Sequence, residues 1–244
     1  SSAASDVYMR QDIGSIEERG MKSIVSKAPF HKYGFIGKPI VNKLLMMGCE
    51  VLAIGREIPA QKKINSLHWL KANFSSPETY QAEINAFKPE VLIHLAWQTH
   101  PGKFWTASDN VDWAIASSHL IDTFFEAGGQ RAIVAGTCAE YDWSFADKPL
   151  AEDSPCQPAS LYGSCKLKLY RHCEQLIVRG ASIAWGRLFF LCGPREHPAR
   201  FIPAIIRPLL AGKTAEMSQG TQVRDFLHIC LLYTSDAADE RSSV

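Results

Sequence analysis

Residues 21–54, MKSIVSKAPFHKYGFIGKPIVNKLLMMGCEVLAI, decide the fold class. Ile24 and Val25 sit in a short apolar run that reads as a buried strand. Ile36, Ile40, Val41, Leu44 and Leu45 then recur at helical spacing, so 36–47 reads as a helix with one apolar face. Gly48 is a suitable terminator, because glycine takes the left-handed backbone without a Cβ penalty. Residues 51–54 are apolar throughout, the pattern of a strand covered on both faces. Strand, helix and strand in that order make a βαβ unit.

The alternation continues along the chain. Residues 67–70 read as a weaker strand. Residues 77–87 read as a short helix, with Ser76 as its cap and Pro77 in its first turn. Strands at 91–95 and 132–135 flank a long helix at 109–127, closed by Gly128 and Gly129. A helix at Leu161–Val178, ended by Gly180, precedes a strand at 182–190. This predicts an α/β fold, one domain built on a doubly wound parallel sheet. No repeat or low-complexity linker interrupts it.

Composition sets the function classes. The 244 residues are 46% hydrophobic and 21% charged, with a formal net charge of +1. Such a balance supplies no electrostatic footprint for nucleic acid or an anionic membrane. No apolar run approaches the length of a membrane span, and no signal-peptide pattern opens the chain. Seven cysteines, scattered and without metal-ligand spacing, point to reduced thiols in a cytoplasmic protein with no bound metal.

The two ends read as foreign. Codons can be chosen for residues 1–8 so that their reverse complement, in a shifted frame, spells residues 233–240. Both segments look like translations of a transposon-end adapter used in sequencing libraries. On that reading residues 1–20 are a non-native or upstream leader, adapter-derived over 1–11. The native chain begins at Met21, and 230–244 is translated adapter. The expected organisation is then a nucleotide-binding and catalytic domain over 21–195, followed by the start of a substrate-binding region over 196–229.

The strongest chemical constellation is Tyr162-Gly163-Ser164-Cys165-Lys166. Tyr162 and Lys166, four apart, share a helix face. An ammonium near a phenol favours the phenolate and lowers its pKa. The phenol could then exchange a proton with a sugar hydroxyl or carbonyl while hydride moves to or from a nicotinamide. A lone pair of this spacing is common on exposed helices, so its context matters. That context is the run Gly136-Thr137-Cys138-Ala139-Glu140-Tyr141 after a predicted strand. A hydroxyl just past the carboxyl end of a parallel strand is placed to face a ligand crevice. Thr137 could hydrogen-bond the same oxygen that Tyr162 protonates, or could simply cap a turn.

In this order of motifs the chain resembles the extended short-chain dehydrogenase/reductase superfamily, in its NAD-dependent epimerase/dehydratase branch. That branch places a Ser or Thr four residues before a Tyr, as Thr137 stands before Tyr141. Its Tyr-x-x-x-Lys pair follows a proline-containing loop, as Pro155 and Pro158 precede Tyr162. The run Gly186-Arg187-Leu188-Phe189-Phe190-Leu191-Cys192-Gly193-Pro194 is similar to its segment beside the nicotinamide. Phe201-Ile202-Pro203 and Arg224-Asp225-Phe226-Leu227-His228 look like its sugar-nucleotide segments. The resemblance covers about 21–229 and implies a Rossmann-like domain. It also implies that Thr137, Tyr162 and Lys166 are catalytic, that Arg224 meets the substrate diphosphate, and that Leu95 and Ala96, after His94, approach the cofactor ribose. Taken alone, His94 reads better as a satisfied core histidine.

Two departures bear on the cofactor. The branch opens with a glycine-rich turn whose backbone approaches the pyrophosphate at a helix N-terminus. Here only Gly34, Phe35, Ile36 and Gly37 keep that pattern. His31 occupies the first glycine position, and residues 27–33 are a few residues too long. Compensating frame errors explain this better than divergence. Taken literally, the His31 Cβ obstructs the turn, and Lys27 and Lys32 are a weak substitute for it. At the end of the second strand, Gly55-Arg56 stands where NAD-binding members carry an acid. Arg56 suits a 2′-phosphate, which favours NADP, with NAD the alternative. Trp97, Phe104, Trp105 and Trp113 read mainly as packing, with one or two left as candidates for a sugar-pocket wall.

The sequence therefore predicts an NAD(P)-dependent reductase or epimerase of a nucleoside-diphosphate sugar. Reduction of a 4-keto sugar fits NADP, and C4 epimerisation fits tightly held NAD. Cys138-Ala139 replaces the Asp-Glu pair of the dehydratases, which argues against dehydration. The rival reading is a non-catalytic NAD(P)-binding regulatory or scaffold protein of the same fold. A third is that the chain as it stands is inactive. A homodimer is left open.

Overall fold

The computed structural model describes residues 21–26, 34–58, 64–145 and 149–232. The leader at 1–20, the altered turn at 27–33 and most of the adapter-like tail fall outside the described residues.

The apolar runs form the strands β1 (Lys22–Ser26), β2 (Glu50–Gly55), β3 (Leu67–Lys71), β4 (Val91–His94), β5 (Arg131–Thr137) and β6 (Ser182–Leu188). They make one parallel sheet in the order β3-β2-β1-β4-β5-β6. The predicted doubly wound, Rossmann-like α/β architecture is therefore what the chain adopts. Between the strands run α1 (Gly37–Met46), α2 (Gln81–Phe87), α3 (Asn110–Glu126) and α4 (Leu161–Val178).

Consecutive strand residues point to opposite faces, so a strand covered on both sides must be apolar throughout. Ile24, Leu52, Leu92 and Val134 pack on one face with Ile84, Leu120, Phe124 and Leu169 from α2, α3 and α4. Val25, Ala53, Ile93 and Ile133 pack on the other with Ile40, Val41 and Leu44 of α1. Each fully buried Leu or Ile stabilises the fold by about 1.5–3 kcal/mol.

The chain steps outward from β1 to β3, then returns to lay β4 beside β1, so the order reverses between β1 and β4. In parallel α/β sheets a crevice for ligands opens at such a point, beyond the carboxyl ends of the strands. Ser26 and His94 are register partners there. The His94 imidazole is buried between two hydroxyls, with Nδ1 2.6 Å from Ser26 Oγ and Nε2 2.8 Å from Ser117 Oγ. This is the satisfied core histidine that the sequence suggested.

Three local readings are corrected. The expected helix at 77–87 is a 3₁₀ turn, Pro77–Thr79, followed by α2, because Tyr80 at φ −138° interrupts the helical path. Ser76 caps neither piece with its side chain; its hydroxyl accepts from Asn73 Nδ2 instead. The strand expected over 182–190 stops at Leu188, and β7 (Phe190–Cys192) leaves the main sheet to pair with β8 (Phe226–His228). Beside this second sheet lies α5 (Phe201–Leu210), none of whose residues is buried. Phe226 gathers the aromatic contacts there, with ring centroids 5.6 Å from Phe190 and 5.7 Å from Phe201.

Candidate active site

β5 ends at Thr137, and its carboxyl edge turns at once into a 3₁₀ helix, Cys138–Glu140. Thr137 and Glu140 close that turn reciprocally. Thr137 Oγ1 accepts from the Ala139 amide at 3.2 Å, and Glu140 Oε1 accepts from the Thr137 amide at 2.7 Å. The arrangement is a capping box, which satisfies donors that a helix start leaves open.

α4 brings the other two groups. Its cap is Ser160, whose hydroxyl accepts from the Gly163 amide at 3.1 Å. A Cβ on Gly163 would press into the Ala139 carbonyl and lie 2.8 Å from the Pro158 Cβ. The glycine therefore lets the helix start approach the Thr137 turn. Tyr162 and Lys166 both face inward and are buried. The Thr137 hydroxyl stands near enough to the Tyr162 phenol to draw its pKa down, and Lys166 reaches the Ala135 carbonyl of the same strand, so the three predicted groups gather at the carboxyl end of β5.

Their electrostatics differ from the sequence expectation. Burial pushes the Tyr162 phenol well above its ordinary value, only partly offset by the nearby Thr137 hydroxyl. Phe104 and Trp105 stand edge-on to its ring, at 4.9 and 5.9 Å between centroids. Lys166 Nζ donates to the Ala135 carbonyl at 2.8 Å and lies 3.9 Å from the centre of the Trp97 ring. Burial pulls this amine down to about 7, with Glu140 opposing. Desolvation, which penalises whichever form is charged, thus outweighs the expected ammonium–phenolate attraction. The phenol is held in its protonated form.

The cofactor-side candidates line the β1–β4 switch point. Gly34 adopts φ +45°, in the left-handed region. Phe35 and Ile36 pack partly on the α1 face of the core, and Gly37 is buried at the first turn of α1. That helix start has no side-chain cap and no acidic residue in its first turn, so its amides suit an anion such as a pyrophosphate. Leu95 donates its amide to the Ser26 carbonyl, and Ala96 is buried next to it. Arg56 is exposed at the tip of β2, its guanidinium 5.1 Å from the centre of the Trp113 ring. Lys166 keeps donors beyond the one given to Ala135. An uncapped helix start, a buried ammonium and a cation at the β2 tip form a donor set that fits a dinucleotide.

On the substrate side, Arg224 is exposed. It donates to the Val223 carbonyl at 2.9 Å and to Gln222 Oε1 at 3.2 Å, and its charge reaches Cys138. Trp97, Phe104 and Trp113 are buried packing residues, whereas Trp105 is 42% exposed. Sequence reasoning missed three groups. Arg200 carries its charge within reach of Tyr162 and packs over Phe104 at 5.7 Å. Glu140 and Arg187 form a buried ion pair, Oε2 to Nε at 2.8 Å. Only Glu140 left a legible signal, an acid three residues after a Thr, which is the capping-box spacing.

All seven cysteines are free, and no helix among the described residues is long and apolar enough to cross a membrane. Comparison with known proteins follows the fold. The family model described as "NAD dependent epimerase/dehydratase family" matches residues 32–230. The chain is similar to UDP-glucose 4-epimerase of Mycolicibacterium smegmatis, 27% identical over 233 residues, covering 86% of this chain and 70% of that protein. It is also similar to dTDP-6-deoxy-L-talose 4-dehydrogenase (NAD(P)(+)) of Kitasatospora kifunensis, 24% identical over 207 residues, covering 80% and 64%. Among solved structures, MoeE5 in complex with UDP-glucose and NAD matches with a TM-score of 0.66 at 26% identity, covering 86% of this chain and 68% of that one. The chain thus spans about two thirds of the length of these relatives.

Proposed function

The chain belongs to the NAD dependent epimerase/dehydratase family, and we propose that it is the nucleotide-binding and catalytic part of an enzyme that reduces or epimerises a nucleoside-diphosphate sugar. The observation that carries this reading is the meeting of Thr137, Tyr162 and Lys166 at the carboxyl edge of β5. When bound, the nicotinamide cofactor supplies the acceptor or donor of hydride. Tyr162 holds the proton: its buried, protonated phenol gives that proton to a sugar carbonyl oxygen, or recovers it from a sugar hydroxyl. When the sugar binds, the Thr137 hydroxyl turns its single proton from the Tyr162 phenol to the same sugar oxygen. Lys166, whose amine is pulled down to about 7, carries charge when a proton is needed near Tyr162 and holds the cofactor ribose.

Residues 196–229 begin the sugar-nucleotide region, with Arg224 exposed to meet a diphosphate, because a guanidinium matches phosphate oxygens. The UDP-sugar relatives support that substrate class. Cys138-Ala139, in place of an Asp-Glu pair, argues against dehydration. Arg56 at the β2 tip favours NADP, and NADP favours reduction of a 4-keto sugar over epimerisation.

The decisive experiment is a Tyr162→Phe substitution in the purified chain, assayed on UDP- and dTDP-sugars with either cofactor. Turnover is expected to fall by about 10²–10⁴. Turnover left unchanged would sink the enzymatic reading in favour of a non-catalytic NAD(P)-binding protein. For the cofactor, Arg56→Asp is expected to reverse the preference from NADP to NAD in fluorescence titrations. A wild-type chain that already binds NAD more tightly removes the case for NADP.

A further inference from the structure

Glu140 is a fully buried carboxylate with three donors aimed at it. The Thr137 amide reaches Oε1 at 2.7 Å. Trp185 Nε1 and Arg187 Nε reach Oε2 at 3.0 and 2.8 Å. Arg187 is fixed in turn. It donates to the Glu152 carbonyl at 3.2 Å, and its guanidinium lies 4.8 and 4.9 Å from the ring centres of Tyr141 and Tyr170. The cradle has no room to spare, because a Cβ on Gly136 would lie 2.7 Å from Trp185 Cε2 and 2.8 Å from Glu140 Oε1.

A surface capping box needs none of this. The usual partner of an N-cap is water-exposed and adjustable, whereas this one is locked to β6 by a guanidinium and an indole. The lock acts on one backbone position, Thr137, whose Oγ1 accepts from Ala139 and whose hydroxyl stands beside the Tyr162 phenol and the Cys138 thiol.

We propose that Glu140, clamped by Arg187 and Trp185, is the positioning residue of the site: it holds the Thr137 backbone so that the hydroxyl is presented to the Tyr162 phenol. This rests on the reading of Thr137 and Tyr162 as the reacting pair. It explains why the Glu140–Arg187 pair is buried behind the turn. It also explains why the turn after β5 is short and doubly closed. Glu140 touches neither substrate nor cofactor in this role, and acts only through Thr137.

The test separates that path from a structural one. In Glu140→Gln the amide cannot accept from Thr137, Trp185 and Arg187 together. Its oxygen turns to the guanidinium, and its NH₂ group then opposes the Thr137 amide, donor against donor. Protein labelled at the tyrosine ring carbon bonded to oxygen reports the phenol hydrogen bond by NMR, with Tyr162 assigned through Tyr162→Phe. Thr137→Ala is expected to shift the Tyr162 resonance. Glu140→Gln is expected to shift it the same way, and the double variant to move it no further, because both changes remove one interaction. A Glu140→Gln resonance at the wild-type position overturns the proposal, as do shifts that add in the double variant. Should Glu140→Gln not fold, Arg187→Lys, which keeps the charge but loses the planar fork, carries the same test with the same two outcomes. Turnover is a separate readout: kcat should fall about tenfold in Glu140→Gln with KM unchanged, and no further on a Thr137→Ala background. Failure of the enzymatic reading shows in the Tyr162→Phe assay and leaves the NMR comparison intact.

Discussion

His94 and Lys166 show what burial does to single groups. His94 is fully enclosed, and its pKa is pulled from 6.5 to about 3 by burial, aided by the Lys166 charge. Above pH 6.5 the imidazole is neutral in the folded and unfolded chains alike. Below it, the unfolded chain takes up a proton that the folded one refuses, so stability falls with pH, by up to about 1.4 kcal/mol per unit. The melting temperature is expected to drop between pH 7 and pH 5. His94→Asn should be less stable throughout but show a shallower slope, and an identical slope would assign the acid sensitivity elsewhere. Lys166 carries the same logic at higher pH. Its amine is pulled from 10.5 to about 7, so between those values the unfolded chain holds a proton that the folded one has lost. The cost of burying the ammonium is therefore full below pH 7 and relieved as pH rises. Lys166→Met should gain stability relative to the wild type at pH 6 and less at pH 9, while losing turnover. A gain that does not shrink at pH 9 would place the effect in packing, not in charge.

At the scale of elements, α4 was fully legible. Its apolar spacing and Gly180 give the bounds Leu161–Val178 that the structure has, because a long periodic helix averages over local competition. The central strands were legible for a related reason: cover on both faces makes them mostly apolar, as in β2, β4 and β5. Short elements were not. Asn73 captured the Ser76 hydroxyl, a local side-chain competition that no period reveals. The Glu140–Arg187 pair was hidden because its members are 47 residues apart and only the pairing of β5 with β6 brings them together. Gly163 shows how the levels conflict. Intrinsic propensity favours Ala over Gly inside a helix by about 1 kcal/mol. Packing opposes it, since the new methyl would meet the Ala139 carbonyl and the Pro158 ring. Overpacking of this kind costs about 1–3 kcal/mol. Gly163→Ala is therefore expected to lower stability in urea titrations and to weaken turnover by moving Tyr162 from Thr137. A more stable Gly163→Ala protein would show that the α4 start has slack.

The molecule as a whole divides by how much apolar surface each part encloses. In the six-stranded sheet, β1, β4 and β5 are central, paired on both edges and covered on both faces. The second sheet has two strands of three residues each, and α5 beside it leaves Phe201, Ile206, Leu209 and Leu210 exposed. Local opening costs least where few apolar contacts must be broken. Native-state hydrogen exchange is expected to find the slowest amides in β1, β4 and β5, opening only with global unfolding. Amides of β8 and α5 should exchange through a separate, cheaper opening, insensitive to low denaturant. Phe226 links the two, because its ring meets Phe190 on one side and Phe201 on the other. Phe226→Ala should speed exchange throughout β7, β8 and α5 and leave the main unfolding midpoint where it is. The proposed catalytic edge belongs to the densely packed part, since Thr137 and Lys166 lie on β5 and α4, while Arg224 sits on the sparsely packed side of the division just before β8. Such a chain can hold its proposed proton-transfer groups rigid while its proposed diphosphate contact adjusts. If Phe226→Ala instead lowers the global midpoint by the amount it loosens β8, the two parts are one cooperative unit and that division fails.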